Sequence, residues 1–228
     1  MDGFTKKDLA GMMDYSLLHA GATAEYVVKA CDEAKKYGFH SVCINPSYIE
    51  IAKRSLEDSG VKVTAVLAYP LGATLPEVKA FEALEYVNRG ADELDMVMDI
   101  GAFKSGDLEL VEKEIKWVVE AGLSLPRTVT KVIIETGLLT EDEIVTASKL
   151  VKKAGADFVK SGTGWGKGTS VRDVTLMRKA VGARFGVKAA GGIKTLKQTM
   201  DLVNAGANRI GTSSAVEIMK EFRLKKRG

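Results

Sequence analysis

Short apolar runs alternate along the chain with longer amphipathic stretches. The runs cover residues 40–45, 61–69, 91–98, 129–135, 156–161, 184–190 and 207–213, each rich in Val, Ile or Phe and bounded by Gly, Pro or polar residues. Parallel strands buried on both faces have this character. Between the runs the apolar spacing is helical. In TAEYVVKACDEAKKYG, Val27, Val28, Cys31 and Ala34 fall on one face, and Gly38 supplies a C-terminal stop. In LPEVKAFEALEYVNRG, Val78, Phe81, Leu84 and Val87 keep step and predict an apolar face, with Pro76 suited to the first turn. Stretches beginning at Asp107, Thr140, Val171 and Thr195 repeat the scheme, each ending at Gly. Gly-Ala-Asp or Gly-Ala-Asn turns at 90–92, 155–157 and 206–208, and a similar one at 182–184, lead into strand runs as αβ loops do. An eighth strand is expected in MDYSLL, preceded by a capping helix in TKKDLAGM. Eight strand–helix units predict an α/β fold of one domain over residues 1–228, a single (β/α)8 TIM barrel with an N-terminal capping helix. The alternative, an open doubly wound sheet, needs a phosphate loop after its first strand, and DYSLLHAG does not resemble one.

Composition narrows the class without naming a chemistry. Hydrophobic residues are 46% and charged residues 28% of the 228, as in ordinary soluble domains. The formal net charge of +3 arises from 33 basic and 30 acidic residues, too even a balance to argue for nucleic acid. Two cysteines, Cys31 and Cys43, make no disulfide framework, which favours a reducing, cytoplasmic setting. The N-terminal segment lacks a secretory apolar stretch, and no run reaches the roughly 18 residues of a membrane span. The basic tail FRLKKRG reads as a solvated helix end.

Active sites of such barrels gather at the C-terminal ends of the strands. Three ionisable residues stand there: Asp95 in ELDMVM, Lys160 closing DFVK and Lys188 closing FGVK. A lysine at the end of an apolar strand is costly to bury without a partner, and its structural alternative is an ion pair with Asp95 or Glu135. Two lysines on neighbouring strands favour chemistry, because like charges placed together ease deprotonation of one of them, and a neutral amine is a nucleophile. These residues assign the covalent role to either Lys160 or Lys188. Glycine-containing segments supply a second constellation: SGTGWGKG after Lys160, AAGGIK after Lys188, and IGTSS, which leads into a helix at Ser213 and Ser214. Such loops expose backbone N–H groups and together suit a phosphate. His19 and His40 fall in no metal-ligand spacing, so no metal is expected.

The segments ELDMVMDIGAFKSG, KVIIETGLLTEDEI, DFVKSGTGWG, GVKAAGGIKTL and NRIGTSSAVEI, with CINPSY and AYPLGAT before them, resemble successive signatures of the deoxyribose-phosphate aldolase family from about Asp14 to about Ile218. The resemblance implies a class I aldolase that interconverts 2-deoxyribose 5-phosphate with glyceraldehyde 3-phosphate and acetaldehyde, without metal or organic cofactor. It makes Lys160 the Schiff-base lysine, Lys188 the lysine that tunes it, and Asp95 the acid that works with water in proton transfer. Gly164, Gly191, Gly192, Gly211, Ser213 and Ser214 match phosphate-site positions. Cys43 matches a cysteine near the substrate in some members; its alternative is a small buried hydrophobe. The partners implied are phosphorylated sugar and aldehyde substrates, with no nucleic acid and no membrane, in a homo-oligomer, a dimer or tetramer. The helix carrying Trp117 is a candidate contact, with packing on its own barrel as the alternative. Asp99 stands where Asn is common, Gly162 where Ser is usual, His19 for Lys or Asn, Tyr69 for Phe and Lys194 for Arg. These departures keep open a Schiff-base aldolase for another phosphorylated sugar. A non-catalytic sugar-phosphate-binding barrel is the third reading, and retention of Asp95, Lys160 and Lys188 together argues against it.

Overall fold

The computed structural model describes residues 4–123 and 127–225. Eight parallel strands follow one another round a closed barrel: β1 Met13–Leu17, β2 Ser41–Ile44, β3 Lys62–Leu67, β4 Glu93–Val97, β5 Val129–Ile133, β6 Phe158–Lys160, β7 Gly186–Ala190 and β8 Arg209–Thr212. β1 pairs with both β2 and β8, which closes the ring. Every strand lies within its apolar run. Ten α-helices among the described residues surround them: α1 Lys6–Ala10, α2 Ala24–Tyr37, α3 Ile49–Ser55, α4 Pro76–Asn88, α5 Ile100–Lys104, α6 Leu108–Ala121, α7 Glu141–Lys153, α8 Val171–Val181, α9 Leu196–Asn204 and α10 Ala215–Lys225. The expected capping helix is α1, held at its start by a reciprocal pair of hydrogen bonds between Thr5 and Asp8. The same device starts α7, α8 and α9 at Thr140, Ser170 and Thr195. No helix among the described residues is long and apolar enough to cross a membrane. The side chains of the basic tail beyond Phe222 lie outside the described residues.

Each strand sorts its side chains by the two-residue period of the pleat. Along β4, Leu94 and Met96 join the apolar layer under the helices, while Glu93 and Asp95 meet charged side chains of other strands inside the barrel. Val42, Val132, Val159, Val187 and Ile210 belong to the same outer layer. The apolar core is therefore the shell between strands and helices, and the barrel lumen is polar.

One predicted face is turned outward except at Val87, which packs against the core. Val78, Phe81 and Leu84 of α4 are 41, 64 and 43% exposed, and Leu71 and Leu75 just before the helix are exposed as well. The helix instead buries Pro76, Lys79 and Ala83. Lys79 Nζ donates to Glu114 Oε2 of α6 at 2.7 Å and to the Val97 carbonyl at 3.1 Å, so this helix is seated by an ion pair where an apolar stripe was expected. Val28 of α2 likewise points outward while Val27, Cys31 and Ala34 are buried. Trp117 of α6 is half-buried, with the Lys113 ammonium 4.2 Å from its ring centroid.

Lys79 and Glu114 are both fully sequestered, and burial raises the Glu114 carboxyl despite its lysine partner. Removing one partner strands the other charge. Lys79→Met should therefore destabilise the fold by about 3 to 5 kcal/mol in urea unfolding. The double variant with Glu114→Gln should recover much of that loss, because the amide still accepts the Asp99 N–H that Glu114 Oε1 accepts at 2.7 Å. Equal stability of the single and double variants would contradict this account.

Candidate active site

Asp95 gathers the catalytic candidates. Strand register sets Lys131 beside it on β5, and sets Lys160 of β6 beside Lys188 of β7. Asp95 Oδ2 accepts hydrogen bonds from Lys160 Nζ and Lys188 Nζ, each at 2.7 Å, and Oδ1 accepts from Lys131 Nζ at 2.8 Å. Burial opposes the charge on Asp95, but Lys131, Lys160 and Lys188 outweigh it and hold the carboxyl well below the usual carboxylate range. The expected ion pair of a strand-end lysine with Asp95 is present. Glu135 plays a different part and accepts the Thr163 N–H at 2.9 Å.

Beneath this group lies a second ionic layer. Lys188 also pairs with Asp14 of β1. Lys131 reaches Glu93 at 2.6 Å, and Arg209 of β8 bonds Asp14 and Glu93 at 3.0 Å each. Ser41 and Thr64 donate to Asp14 and Glu93, and His40 Nε2 lies 2.9 Å from Glu93. Burial works against the Lys188 cation, but Asp14 and Asp95 overcome it and raise its pKa, so Lys188 remains charged through the neutral range.

A cavity of about 500 Å³ opens above Asp95 at the C-terminal ends of the strands. Lys160 borders it, whereas Lys131 and Lys188 are fully buried below and do not. Gly191, Gly192, Gly211 and Ser213 form much of its glycine-rich wall, and Gly164 of the loop after Lys160 lines it as well. Gly211 has a packing reason to be glycine: a Cβ there would stand 3.0 Å from Lys188 Cε and from Ala190 Cβ. Lys194 lies at the rim, exposed, and has no ion pair among the described residues.

A family model described as DeoC/LacD family aldolase matches residues 9–220. The chain belongs to the DeoC/LacD aldolase family. It is 51% identical over 216 residues to a deoxyribose-phosphate aldolase from a Thermoanaerobacter species, covering 94% of this chain and 97% of that protein. It is 51% identical over 219 residues to one from Thermococcus gammatolerans, covering 95 and 97%. The tetrameric deoxyribose phosphate aldolase structure from Aeropyrum pernix superposes with a TM-score of 0.89 at 35% identity, covering 96% of this chain and 92% of that one.

In this aldolase, Ser214 and Cys43, like Asp95 and Lys188, do not border the cavity. The Ser214 N–H is committed to Thr212 Oγ1 at 2.9 Å. Cys43 is fully buried on β2 with Sγ 3.9 Å from Asp95 Oδ2. Burial, reinforced by Asp95, pushes its thiol up to about 11, so it behaves as a small buried residue. Of the departures from the family pattern, His19, Tyr69 and Lys194 border the cavity, while Asp99 caps α5 through Ala102 N–H at 2.9 Å. Sequence reasoning missed Asp14, Glu93, Lys131 and Arg209. Their signal was available, because Glu93, Lys131 and Arg209 are charged residues inside or opening apolar strand runs, the same feature that singled out Lys160 and Lys188.

Proposed function

We propose that this aldolase reversibly cleaves 2-deoxy-D-ribose 5-phosphate to D-glyceraldehyde 3-phosphate and acetaldehyde through a Schiff base on Lys160. The observation that carries the reading is the position of Lys160, which borders the cavity above a carboxylate it shares with a second, fully buried lysine. The family and the names of relatives about half identical to this chain support the substrate.

The amine of Lys160 must be free of its proton to attack the sugar aldehyde. With Lys160 in that form, three cations (Lys131, Lys188 and Arg209) face three carboxylates (Asp14, Glu93 and Asp95) in the network. Attack gives a carbinolamine, and loss of water gives an iminium. Asp95 lies against that cation and offsets it. Removal of the proton from the C3 hydroxyl breaks the C2–C3 bond, whose electrons flow into the iminium to leave an enamine and free glyceraldehyde 3-phosphate. Protonation at C2 and hydrolysis release acetaldehyde and the amine. Asp95 serves these proton transfers through water. The iminium is the electron sink, so the reaction needs no metal or organic cofactor. Lys194 and the glycine wall face the phosphate, with Lys194 acting as a point charge where Arg would offer a fork. Cys31 and Cys43 are free and buried, in keeping with a reducing, cytoplasmic setting.

A second copy of this chain is the partner that best suits the exposed face of Val78, Phe81 and Leu84 on α4, continued by Leu71 and Leu75. The tetrameric Aeropyrum relative supports such self-association. Light scattering at micromolar concentration should give a dimer or tetramer, and Phe81→Glu should shift it toward monomer. A wild-type monomer would contradict this.

Borohydride trapping with acetaldehyde, in the presence of EDTA, should place the adduct on the peptide containing Lys160, and Lys160→Ala should reduce turnover to background. An adduct confined to Lys188 would reverse the assignment, and zinc-restorable loss of activity in EDTA would sink the metal-free mechanism. Lys188→Leu removes a cation that is present throughout the neutral range and so favours the protonated form of the neighbouring amine. The rise of kcat/KM with pH should move to higher pH in that variant. An unmoved profile would separate Lys188 from the chemistry.

A further inference from the structure

Both main-chain polar groups of Thr163 are held by side chains from other strand ends. Thr163 is buried in the loop between β6 and α8, three residues beyond Lys160. Its carbonyl accepts a hydrogen bond from the Tyr69 hydroxyl at 2.6 Å, and its N–H donates to Glu135 Oε2 at 2.9 Å. Tyr69 follows β3 and Glu135 follows β5, so two separate walls of the barrel grip one residue of a third. Glu135 is well fixed for this. It is 5% exposed, its backbone lies in the left-handed region at φ 51, and the next N–H, that of Thr136, donates to the Ser161 carbonyl at 2.8 Å.

The loop curls closely round that carboxylate. A Cβ at Gly162 or Gly166 would stand 3.1 Å from Glu135 Oε1. This oxygen has no hydrogen-bond partner among the described residues. A buried carboxylate oxygen left unpaired is costly, and the main-chain bond made by Oε2 is the visible return. Thr163, Gly164 and Trp165 border the cavity, and Gly164 lies against Gly191 on the glycine wall. The place of Thr163 therefore sets how far the loop stands from that wall. Burial first, and the neighbouring Cys43 next, raise the pKa of the Tyr69 hydroxyl, which stays a donor throughout the neutral range.

We propose that Tyr69 is a positioning residue for substrate binding, which with Glu135 clamps Thr163 and so fixes the width of the cavity where it receives the sugar phosphate. The proposal rests on the reading of this cavity as a sugar-phosphate site.

Tyr69→Phe removes the bond and little else. Hydrogen–deuterium exchange over residues 161–169 should quicken about three- to tenfold, the loss expected for one hydrogen bond. KM for 2-deoxyribose 5-phosphate should rise by a similar factor while kcat stays within about twofold. Glu135→Gln keeps an acceptor for the Thr163 N–H and should stay near wild type, whereas Glu135→Ala should behave like Tyr69→Phe. Unchanged exchange in Tyr69→Phe overturns the clamp, as does faster exchange with an unmoved KM. A fall in kcat with KM unmoved also overturns it, because it would put the hydroxyl in the chemistry. Glu135→Ala as near to wild type as Glu135→Gln would remove Glu135 from the arrangement. Should the wild-type protein fail to turn over 2-deoxyribose 5-phosphate, the functional reading fails. The exchange data, with the affinity for inorganic phosphate measured by calorimetry on wild type and Tyr69→Phe, then decide the clamp alone: weaker binding upholds it and equal binding overturns it.

Discussion

The carboxylate of Asp95 accepts from three lysines that reach it from β5, β6 and β7, and the geometry of the catalytic end depends on that convergence. A carboxylate cannot stay charged inside a barrel unless cations compensate the water it has lost. Three lysines cannot stay close together unless anions separate them. Each requirement answers the other, and Asp14, Glu93 and Arg209 extend the answer downward to the lower end of the lumen. Lys160 sits at the top of this column, its amine attached to the network and still bordering the cavity.

Such a lumen is a poor way to gain stability. Barrels of this kind usually fill their centre with layers of branched aliphatic side chains, and exchanging a buried ionic cluster for well-packed apolar residues is often neutral or favourable by about 1 to 4 kcal/mol. The apolar burial that holds the fold lies elsewhere, in the shell where Leu94, Met96, Val132, Val187 and Ile210 meet the helices. The two faces of each strand thus have separate work: the outer face packs on the helices and the inner face carries the ionic network. This division explains how β4 accommodates Glu93 and Asp95 without losing its place in the sheet.

The loops at the C-terminal ends complete the site by backbone more than by side chain. Glycines after β6 and β7 bring two loops close to one another at the mouth, and Gly211 within β8 borders it too. Loops of that composition have little intrinsic order, and their order here is borrowed from fixed groups at the strand ends. Thr163 is held by Tyr69 and Glu135, Ser161 exchanges hydrogen bonds with Ala190, and Thr212 accepts from Ser214 N–H while donating to the Ile193 carbonyl.

Much of this was written in local pattern. The eight strands lie inside apolar runs, and Asp95, Lys160 and Lys188 stand out because ionisable groups in such runs are costly to bury, although only Lys160 ends its strand while Asp95 and Lys188 lie mid-strand in β4 and β7. The glycine segments likewise announce a polar mouth. These are properties of neighbours in sequence, so periodicity and residue type reveal them directly. What faces what was decided by closure of the barrel. Asp14 and Lys188 are 174 positions apart, and only the pairing of β8 with β1 brings their ends of the chain round to one another. The same holds for α4, whose spacing fixed an apolar stripe but not its direction. Lys79 and Glu114 turned that helix the other way, because a buried ion pair between two helices satisfies both charges only when they face each other. Sequence determined the kinds of surface each element carries; tertiary structure decided which surfaces meet, since burial and ion pairing act between elements that closure alone makes adjacent.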